Sequence, residues 1–301
     1  MPLIDLAAMP SVDGRLQAGL VGRNILASRS PWLHEQEALA QNLPLDYMLF
    51  DFSARGWADE DVARLLDAAQ MAGFAGLNIT HPFKQLVLDY LDELAPSAAK
   101  VGAVNTVRFQ AGRRIGHNTD VTGFAQSVER GLPGQSLESV IQFGAGGGGA
   151  ATAHALLNLG VRRLILVDAA AARRDQLAAQ LHAQYPEADI LPKSEAPASF
   201  AGIDGVVNAT PVGMASYPGT PFRTDLLSAR QWVADIVYFP LETQLLQEAR
   251  KLGCATLEGR GMAVFQAAVA FDIFTGRPAN RERMLTSFDV FDGCPPLAGA
   301  A

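Results

Sequence analysis

Cysteine is almost absent from this sequence: Cys254 and Cys294 are the only two in 301 residues, and they form no C-x-x-C pair. Two isolated thiols give no disulfide framework and suit a reducing compartment. The sequence also lacks any apolar run of about 18 residues, and its first 20 residues contain Asp5 and Asp13 but no basic segment followed by a long apolar core. These absences predict a cytoplasmic protein without a membrane segment.

Runs of basic residues are missing as well. The chain has 24 Lys and Arg against 31 Asp and Glu, a net charge of −7. This balance argues against nucleic acid or an anionic membrane as the main partner, so an anionic small molecule must be met by local positive charge. No cluster of metal ligands is visible, and no metal is expected. The length and the 49% hydrophobic content allow two cores, and we expect a monomer or homodimer.

The most informative stretch is an apolar segment, residues 140–143, that breaks into glycines. Gly144, Gly146 and Gly149 fit the spacing G-x-G-x-x-G, and a helix-forming segment follows at residues 151–159. In such a strand, turn and helix, the glycines permit the turn, the approach of a pyrophosphate and the packing of helix on strand. A flexible turn is the competing interpretation. The flanking segments favour dinucleotide binding by the whole loop, Gly144, Ala145, Gly146, Gly147, Gly148 and Gly149.

An acidic residue follows the next apolar segment. Asp168 lies 24 residues beyond Gly144, close to the roughly 20 residues typical of a carboxylate that accepts the ribose hydroxyls of NAD. Its charge would repel the 2′-phosphate of NADP, so NAD is the expected cofactor and NADP the less favoured one. Arg173 and Arg174 argue the other way, because either could reach a 2′-phosphate. We favour a solvated helix face for both arginines.

Two serines follow the first predicted strand, residues 16–22. Pro31 suits the first turn of a helix that runs to about Gln41, and Ser30 suits its N-cap. Ser28 has no capping role in this interpretation. Its hydroxyl could therefore bind a polyhydroxylated ligand.

The remaining pattern alternates between strands and helices, which implies parallel sheets. Predicted strands lie at residues 45–52, 74–79, 100–109, 113–116, 161–168, 203–210, 232–237 and 255–257, and predicted helices at 59–72, 169–185, 242–252, 262–275 and after Pro278. The segment Gly259-Arg260-Gly261 resembles a hinge.

Candidate site residues follow these strands. Thr80, His81 and Lys84 come after the strand at 74–79, and ligands gather at the carboxyl ends of strands in open α/β sheets. A solvated surface charge is the alternative for Lys84, and a structural role is the alternative for His81. Asp120 could instead cap the helix that follows it.

Seven segments, in this order and spacing, resemble the shikimate dehydrogenase family. The resemblance extends from Gly22 to about Gly276, and the segments together are far more specific than any one of them. The segments are Asn78-Ile79-Thr80-His81-Pro82-Phe83-Lys84, Gly102-Ala103-Val104-Asn105-Thr106, His117-Asn118-Thr119-Asp120, the loop from Gly144 to Ala150, Asn208-Ala209-Thr210-Pro211-Val212-Gly213-Met214, Asp235-Ile236-Val237-Tyr238 and the segment around Gln266.

The resemblance implies an α/β fold of two domains. A three-layer α/β substrate domain with a mainly parallel sheet would comprise residues 1–120 and 260–301, and a Rossmann NAD-binding domain would comprise 121–259. The implied reaction is reversible hydride transfer between a nicotinamide cofactor and the ring alcohol of shikimate, giving 3-dehydroshikimate. Lys84 and Asp120 would be the catalytic pair. The residues expected at the substrate are Ser28, Ser30, Thr80, Asn105, Tyr238 and Gln266, and those expected at the cofactor, beyond the glycine loop, are Asp168, Arg173, Thr210 and Pro211.

Two features depart from the biosynthetic members of that family. Those members usually hold NADP with Asn-Arg-Thr or a similar segment, whereas Asp168-Ala169-Ala170 here is similar to the NAD-dependent quinate/shikimate dehydrogenase branch. In that branch the second serine is often threonine and quinate is accepted, whereas Ser30 matches members that prefer shikimate. A quinate-selective or aminoshikimate-type dehydrogenase remains an alternative. So does a dinucleotide-sensing protein without turnover, although the presence of both Lys84 and Asp120 argues against it.

Overall fold

The structure is a computed structural model that describes residues 14–291. Asp5, Asp13 and Cys294, used in the sequence predictions, lie outside the described residues. Contacts divide the chain into two compact units. The first extends up to Thr119 and resumes at Gln266, and the second comprises Asp120–Phe265. Within residues 14–291, no helix combines the length and the apolar character needed to cross a membrane.

The described part of the chain contains alternating strands and helices. The strands are β1 (Leu16–Gly22), β2 (Leu45–Asp51), β3 (Gly76–Ile79), β4 (Glu93–Leu94), β5 (Thr106–Gln110), β6 (Arg113–His117), β7 (Ser139–Phe143), β8 (Arg163–Val167), β9 (Asp189–Lys193), β10 (Gly205–Asn208), β11 (Trp232–Asp235) and β12 (Ala255–Leu257). The helices are α1 (Ser30–Ala40), α2 (Phe52–Arg55), α3 (Val62–Met71), α4 (Phe83–Leu86), α5 (Pro96–Val101), α6 (Asp120–Gly131), α7 (Gly147–Asn158), α8 (Ala171–Gln184), α9 (Gln244–Lys251), α10 (Arg260–Thr275) and α11 (Arg281–Asp289).

The sheet of the first unit has the order β2-β1-β3-β5-β6-β4. β1 runs parallel to β2 and β3, whereas β5 runs antiparallel to β3 and β6. The carboxyl ends of β1, β2 and β3 therefore lie at the same edge as the start of β5 and the end of β6. This topology brings the segments after Gly22, Ile79 and His117 to one edge, together with Asn105.

A buried ion pair joins the first and last helices of this unit. Glu37 of α1 has a side chain that is 0% exposed. Arg283 of α11 donates to it twice, at 2.7 and 2.6 Å, and the N–H of Asn280 donates a third hydrogen bond at 2.9 Å. A buried carboxylate needs such partners to offset the loss of water. The packing of α11 on α1 is thus fixed by a charge in α1.

The sheet of the second unit has the order β12-β11-β10-β7-β8-β9, and all its pairings are parallel. This is the Rossmann order, and the direction of winding reverses between β7 and β10, where such folds bind dinucleotides. Strands covered on both faces are normally apolar throughout. Gln142, Asn208 and Asp235 are buried polar exceptions in these strands. The expected two-domain α/β fold with mainly parallel sheets is confirmed.

Several element boundaries differ from those predicted. α7 begins at Gly147 rather than near residue 151, so the last three glycines of the loop form its first turn. The segment at residues 259–261 that resembles a hinge contains the start of α10, whose first two residues are Arg260 and Gly261. A Cβ at position 261 would lie 2.1 Å from Ser127 Oγ, so the glycine permits close packing of α10 on α6.

Candidate active site

Two serine hydroxyls lie beside each other at the start of α1. Ser28 Oγ donates to Ser30 Oγ at 3.1 Å and accepts the Ser30 N–H at 3.2 Å. The prediction that Ser30 caps α1 is wrong: the N-cap is Arg29, which makes no side-chain capping bond. Ser28 instead accepts the N–H of the first helical residue. The two hydroxyls are therefore in direct contact, and both side chains are half-buried.

The loop between β1 and these serines is anchored by Asp51, at the end of β2. Its carboxylate accepts the N–H groups of Asn24 at 3.1 Å and Ile25 at 2.7 Å, and two further N–H groups in α2. Burial alone would raise the pKa of Asp51, but these four hydrogen bonds together lower it. A buried carboxylate, which the sequence analysis did not identify, therefore positions the serine-bearing loop.

A second polar group is centred on Asn105, just before β5. Its Nδ2 donates to Thr119 Oγ1 at 2.9 Å, and its Oδ1 accepts the Thr119 N–H at 2.8 Å. Gln266 Oε1 lies 3.5 Å from Asn105 Nδ2 and 3.4 Å from Thr119 Oγ1. The structure thus brings Asn105 and Gln266 together although 161 residues separate them. Thr119, which had no predicted role, connects them.

Tyr47 and Asn78 form further hydrogen bonds, which begin at Ser30 and lead towards Thr106. The Tyr47 hydroxyl donates to Asn78 Oδ1 at 2.7 Å and also contacts Ser30, while Asn78 Nδ2 donates to Thr106 Oγ1 at 2.9 Å. Neither Tyr47 nor Asn78 was a predicted site residue. The available signal was the polar Asn78 inside a short apolar strand, where a buried amide needs partners.

His34 lies against the ring of Tyr47. The two rings stack with centroids 4.5 Å apart, and Phe271 and Phe274 complete the apolar surroundings. Neither ring nitrogen of His34 has a hydrogen-bond partner within the described residues. Complete burial lowers the pKa of His34 to about 3, so this ring is uncharged at neutral pH.

Thr80 and Lys84 follow β3. The Thr80 N–H donates to Val21 O at 2.9 Å, which extends the pairing of β1 and β3 by one residue. Lys84 is half-buried in the short helix α4, and its carbonyl accepts the Val104 N–H at 2.8 Å. Both residues therefore lie at the edge of the sheet that carries Asn105. Asp120 is buried and begins α6 in the second unit.

The glycine loop of the second unit has the stereochemistry that a dinucleotide requires. Gly144 has φ +101°, and a Cβ there would lie 2.5 Å from Ala209 O. A Cβ on Gly149 would lie 2.2 Å from Gly144 O, whereas one on Gly146 would meet no atom within 4 Å. The first and third glycines therefore permit close packing, and the second leaves open space at the N-terminus of α7, where an anion is favoured. The loop fits a pyrophosphate.

Asp168 lies at the end of β8 beside this loop. Its carboxylate accepts the Ala145 N–H and the Ala170 N–H, each at 2.8 Å. Arg173 donates to both of its oxygens at 2.8 Å. Burial alone would raise the pKa of Asp168, but the Arg173 guanidinium and the two N–H groups together lower it. The Asp168 carboxylate is thus fixed by two backbone N–H groups and one guanidinium.

Arg173 and Arg174 differ from each other. Arg173 is 55% exposed on α8, as predicted, and it also forms the ion pair with Asp168. The solvated helix face is wrong for Arg174, because its side chain is only 14% exposed and its Nη1 donates to Asp168 O at 3.4 Å. Arg174 pairs with its exposed neighbour Asp175, at 2.7 Å.

A groove of about 470 Å³ lies along these residues. It is lined by Gly144, Gly146, Asp168, Arg173, Thr210 and Pro211, among others. The predicted cofactor residues at these positions therefore share one surface. Tyr238 is 48% exposed and follows β11 in the same unit. Across residues 14–291, no group of three or more His, Cys, Asp or Glu side chains could hold a metal ion.

The Thr210 side of the groove depends on two buried polar residues. Asn208 Oδ1 accepts from the Thr210 hydroxyl at 2.7 Å, and Asn208 Nδ2 donates to Asp235 Oδ1 at 3.0 Å. Burial raises the pKa of Asp235 to about 6, although bonds from Val237, Asn208 and Thr243 oppose the rise. The sequence analysis assigned neither residue a role in positioning Thr210.

Comparison with known proteins places this site in a family. Residues 20–107 match the model of the shikimate dehydrogenase substrate binding domain, and residues 259–287 match that of the shikimate 5'-dehydrogenase C-terminal domain. A shikimate dehydrogenase (NADP(+)) of Streptomyces avermitilis is 53% identical over 89% of this chain and 92% of its own length. A quinate/shikimate dehydrogenase (NAD(+)) of Corynebacterium efficiens is 46% identical over 90% of this chain and 96% of its own.

A solved structure agrees with these matches. The quinate dehydrogenase of Corynebacterium glutamicum in complex with NAD is 44% identical and has a TM-score of 0.84, covering 91% of this chain and 98% of that one. The resemblance drawn from the seven segments is therefore confirmed. This chain belongs to the shikimate dehydrogenase family of oxidoreductases.

Proposed function

We propose that this protein catalyses the reversible NAD-dependent oxidation of shikimate to 3-dehydroshikimate, and of quinate to 3-dehydroquinate less efficiently. Family membership supports the reaction class. The observation that carries the choice of NAD is the carboxylate of Asp168, which lines the groove beside the glycine loop. A carboxylate there binds the ribose hydroxyls of NAD and repels a 2′-phosphate. The first unit would bind the substrate and the second the cofactor.

The two polar groups of the first unit suit the two kinds of polar group on the substrate. Ser28 and Ser30 offer adjacent hydroxyl donors to its carboxylate. Asn105 and Gln266 offer amides, with Thr80, to its ring hydroxyls. The hydrogen bonds of Tyr47 and Asn78 would keep these groups oriented before the substrate arrives. Tyr238, in the second unit, completes the proposed set.

Oxidation of an alcohol removes a proton from oxygen and a hydride from carbon. The bound nicotinamide supplies the hydride acceptor. In our proposal Lys84 Nζ receives the alcohol proton during oxidation and returns it during reduction, and its ammonium stabilises negative charge developing on the oxygen. In the same proposal Asp120 hydrogen-bonds the substrate hydroxyl before its proton moves to Lys84, and it orients the Lys84 ammonium that results.

The test is a matrix of kcat/KM for shikimate and quinate, each with NAD and NADP. We expect NAD with shikimate to give the highest value and NAD with quinate a lower but measurable one. A higher value with NADP would overturn the cofactor part, and a higher value with quinate the substrate part. No turnover with any of the four pairs would leave a dinucleotide-binding protein without catalysis.

A further inference from the structure

Gln142 is a polar residue in a place where strands of this kind are apolar. It lies in β7, with its side chain 0% exposed, between the buried Ile141 and Phe143. Burying a side-chain amide is costly unless its donors and acceptor are bonded. The partners of this amide therefore show what the residue does.

Those partners are the two ends of the glycine loop. Gln142 Nε2 donates to Gly144 O at 2.9 Å and to Gly149 O at 2.7 Å. Its Oε1 accepts the hydroxyl of Thr152, in α7, at 2.9 Å. Two donors and one acceptor of the amide are thus used. The Thr152 hydroxyl also lies 3.1 Å from Gly149 O, so its single proton can be donated to the amide or directly to the loop.

The peptide group between Gly144 and Ala145 is held at both of its polar ends. Gln142 binds its carbonyl, while Asp168 Oδ2 accepts its N–H at 2.8 Å. Because a peptide group is planar, fixing both ends fixes its orientation. The first peptide group of the glycine loop is therefore held in one orientation.

The far end of the loop is held by the same amide. A Cβ on Gly149 would lie 2.2 Å from Gly144 O and 3.3 Å from Gln142 Nε2, so the first and third glycines meet where the amide lies. The loop is closed around Gln142. α7 begins directly beyond Gly146, at Gly147.

We infer that Gln142 is a positioning residue for the pyrophosphate of the dinucleotide cofactor. It keeps the glycine loop in its binding conformation before the cofactor arrives, which reduces the ordering cost of binding. The inference rests on the dinucleotide binding of the proposed function. It adds a residue that touches no cofactor atom but acts through the loop.

Gln231 provides a matched control. It is also a buried glutamine of the second unit, and its Nε2 donates to Ile203 O at 2.9 Å and to Phe200 O at 3.3 Å. Its Oε1 accepts from Ser228 N and Oγ, each at 2.9 Å. It makes no contact with the glycine loop. Replacing either glutamine with leucine leaves two carbonyls without their amide partner.

The experiment compares Gln142→Leu with Gln231→Leu. Thermal unfolding should show that both variants are less stable than the wild type. The Kd for NAD should rise about 10-fold to 100-fold in Gln142→Leu only, the range expected when bonded polar groups lose their partner. The inhibition constant of adenosine, which has no pyrophosphate, should be unchanged in both. At saturating NAD, Gln142→Leu should keep its kcat and its KM for shikimate.

Thr152→Val gives a second, milder variant if Gln142→Leu fails to fold. It removes the hydroxyl that contacts both the amide and Gly149 O while keeping the shape of the side chain, and the Kd for NAD should rise by a smaller factor. An unchanged Kd for NAD in the folded Gln142→Leu protein, or in Thr152→Val where only that variant folds, would overturn the inference. An equal loss of adenosine binding would also overturn it, because the groove as a whole would then have changed. If the wild type itself bound neither NAD nor NADP, the proposed function would fail first.

Discussion

Arg173 and Asp168 form a two-pronged ion pair in the cofactor groove, with Arg173 Nη2 lying 2.8 Å from each carboxylate oxygen. The pair joins the acid that disfavours a 2′-phosphate to a base that would attract one. Since the arginine is half-exposed and the acid is buried, the arginine is the partner that can turn away. We therefore expect cofactor choice to depend on the balance between these two side chains.

Changing Asp168 or Arg173 should move cofactor choice in opposite directions. Asp168→Asn should narrow the preference for NAD, because it removes repulsion of the 2′-phosphate and weakens the bonds to the ribose. Arg173→Ala should widen it, because it removes the positive charge. The measurement is the ratio of kcat/KM for NAD to that for NADP. Asp189→Asn, an exposed change of the same charge in β9, is the control and should leave the ratio unmoved. A ratio that favours NADP in the wild type would contradict this scheme.

Loss of the Lys84 amine should affect chemistry more than cofactor binding. Lys84→Ala should lower kcat by about 10²-fold to 10⁴-fold, the usual contribution of a positioned acid or base. The Kd for NAD, measured by titration without substrate, should change little. Lys100→Ala, at an exposed lysine of the same unit, should behave as the wild type does. A near-normal kcat in Lys84→Ala would show that Lys84 only binds the substrate and does not act as an acid or base.

Ser30 should influence the choice between shikimate and quinate. Quinate has a saturated ring and a hydroxyl on the carbon that bears its carboxylate, so this carboxylate lies outside the plane it occupies in shikimate. Ser30→Thr adds a methyl group that can pack against the saturated ring, and such a contact is worth about 1–3 kcal/mol. The ratio of kcat/KM for quinate to that for shikimate should rise about 10-fold. An unmoved ratio would show that position 30 does not select the substrate.

His34 should make the protein less stable as the pH falls. Its pKa is about 3 in the folded protein, against the ordinary histidine pKa of 6.5. Between these two pKa values the unfolded chain binds a proton at His34 and the folded chain does not. The free energy of unfolding therefore falls by about 1.4 kcal/mol for each unit by which the pH is lowered in this range. His34→Leu should remove this contribution. The difference in unfolding free energy between about pH 7.5 and about pH 5, from urea titrations, should shrink by about 2 kcal/mol in the variant. Equal differences in both proteins would show that His34 is not the group responsible.

Asp235 should have the opposite dependence. Its raised pKa means that the folded protein holds the proton more tightly than the unfolded chain does. The contribution of Asp235 to stability is therefore present below the ordinary aspartate pKa of 3.8 and is lost as the pH rises through about 6. Asp235→Asn keeps an acceptor for Asn208 and carries no charge. At about pH 7.5 it should unfold with a free energy about 1–3 kcal/mol higher than that of the wild type. A lower value would mean that the hydrogen bonds to the charged carboxylate outweigh its burial.

The strands of the fold could largely be predicted because their apolar segments are bounded by turn residues. β1 and β12 have the predicted bounds, and the glycine loop follows the predicted strand. β9 could not be predicted, because this edge strand contains Pro192 and exposes most of its residues. The start of α7 was misplaced because glycine has a poor helix propensity, and the observed helix begins with three of them.

The site was predictable in its residues but not in its contacts. The bond between Asn208 and Asp235 depends on the register of β10 and β11, in which these two residues are opposite each other. The pairing of Arg173 with Asp168 depends on how α8 leaves β8. The contact of Asn105 with Gln266 depends on packing between distant segments. Each is set by tertiary geometry, which residue spacing alone does not specify.

The pairing of Glu37 with Arg283 also has a consequence for synthesis on the ribosome. These residues are 246 positions apart, and the whole of the second unit is made between them. The second unit is continuous in the chain and can fold as soon as it emerges. The first unit, although begun earlier, has Gln41 as a neutral partner for this buried carboxylate but no cationic one until α11 leaves the ribosome. α11 therefore supplies the charged partner for a unit whose synthesis began before that of the second.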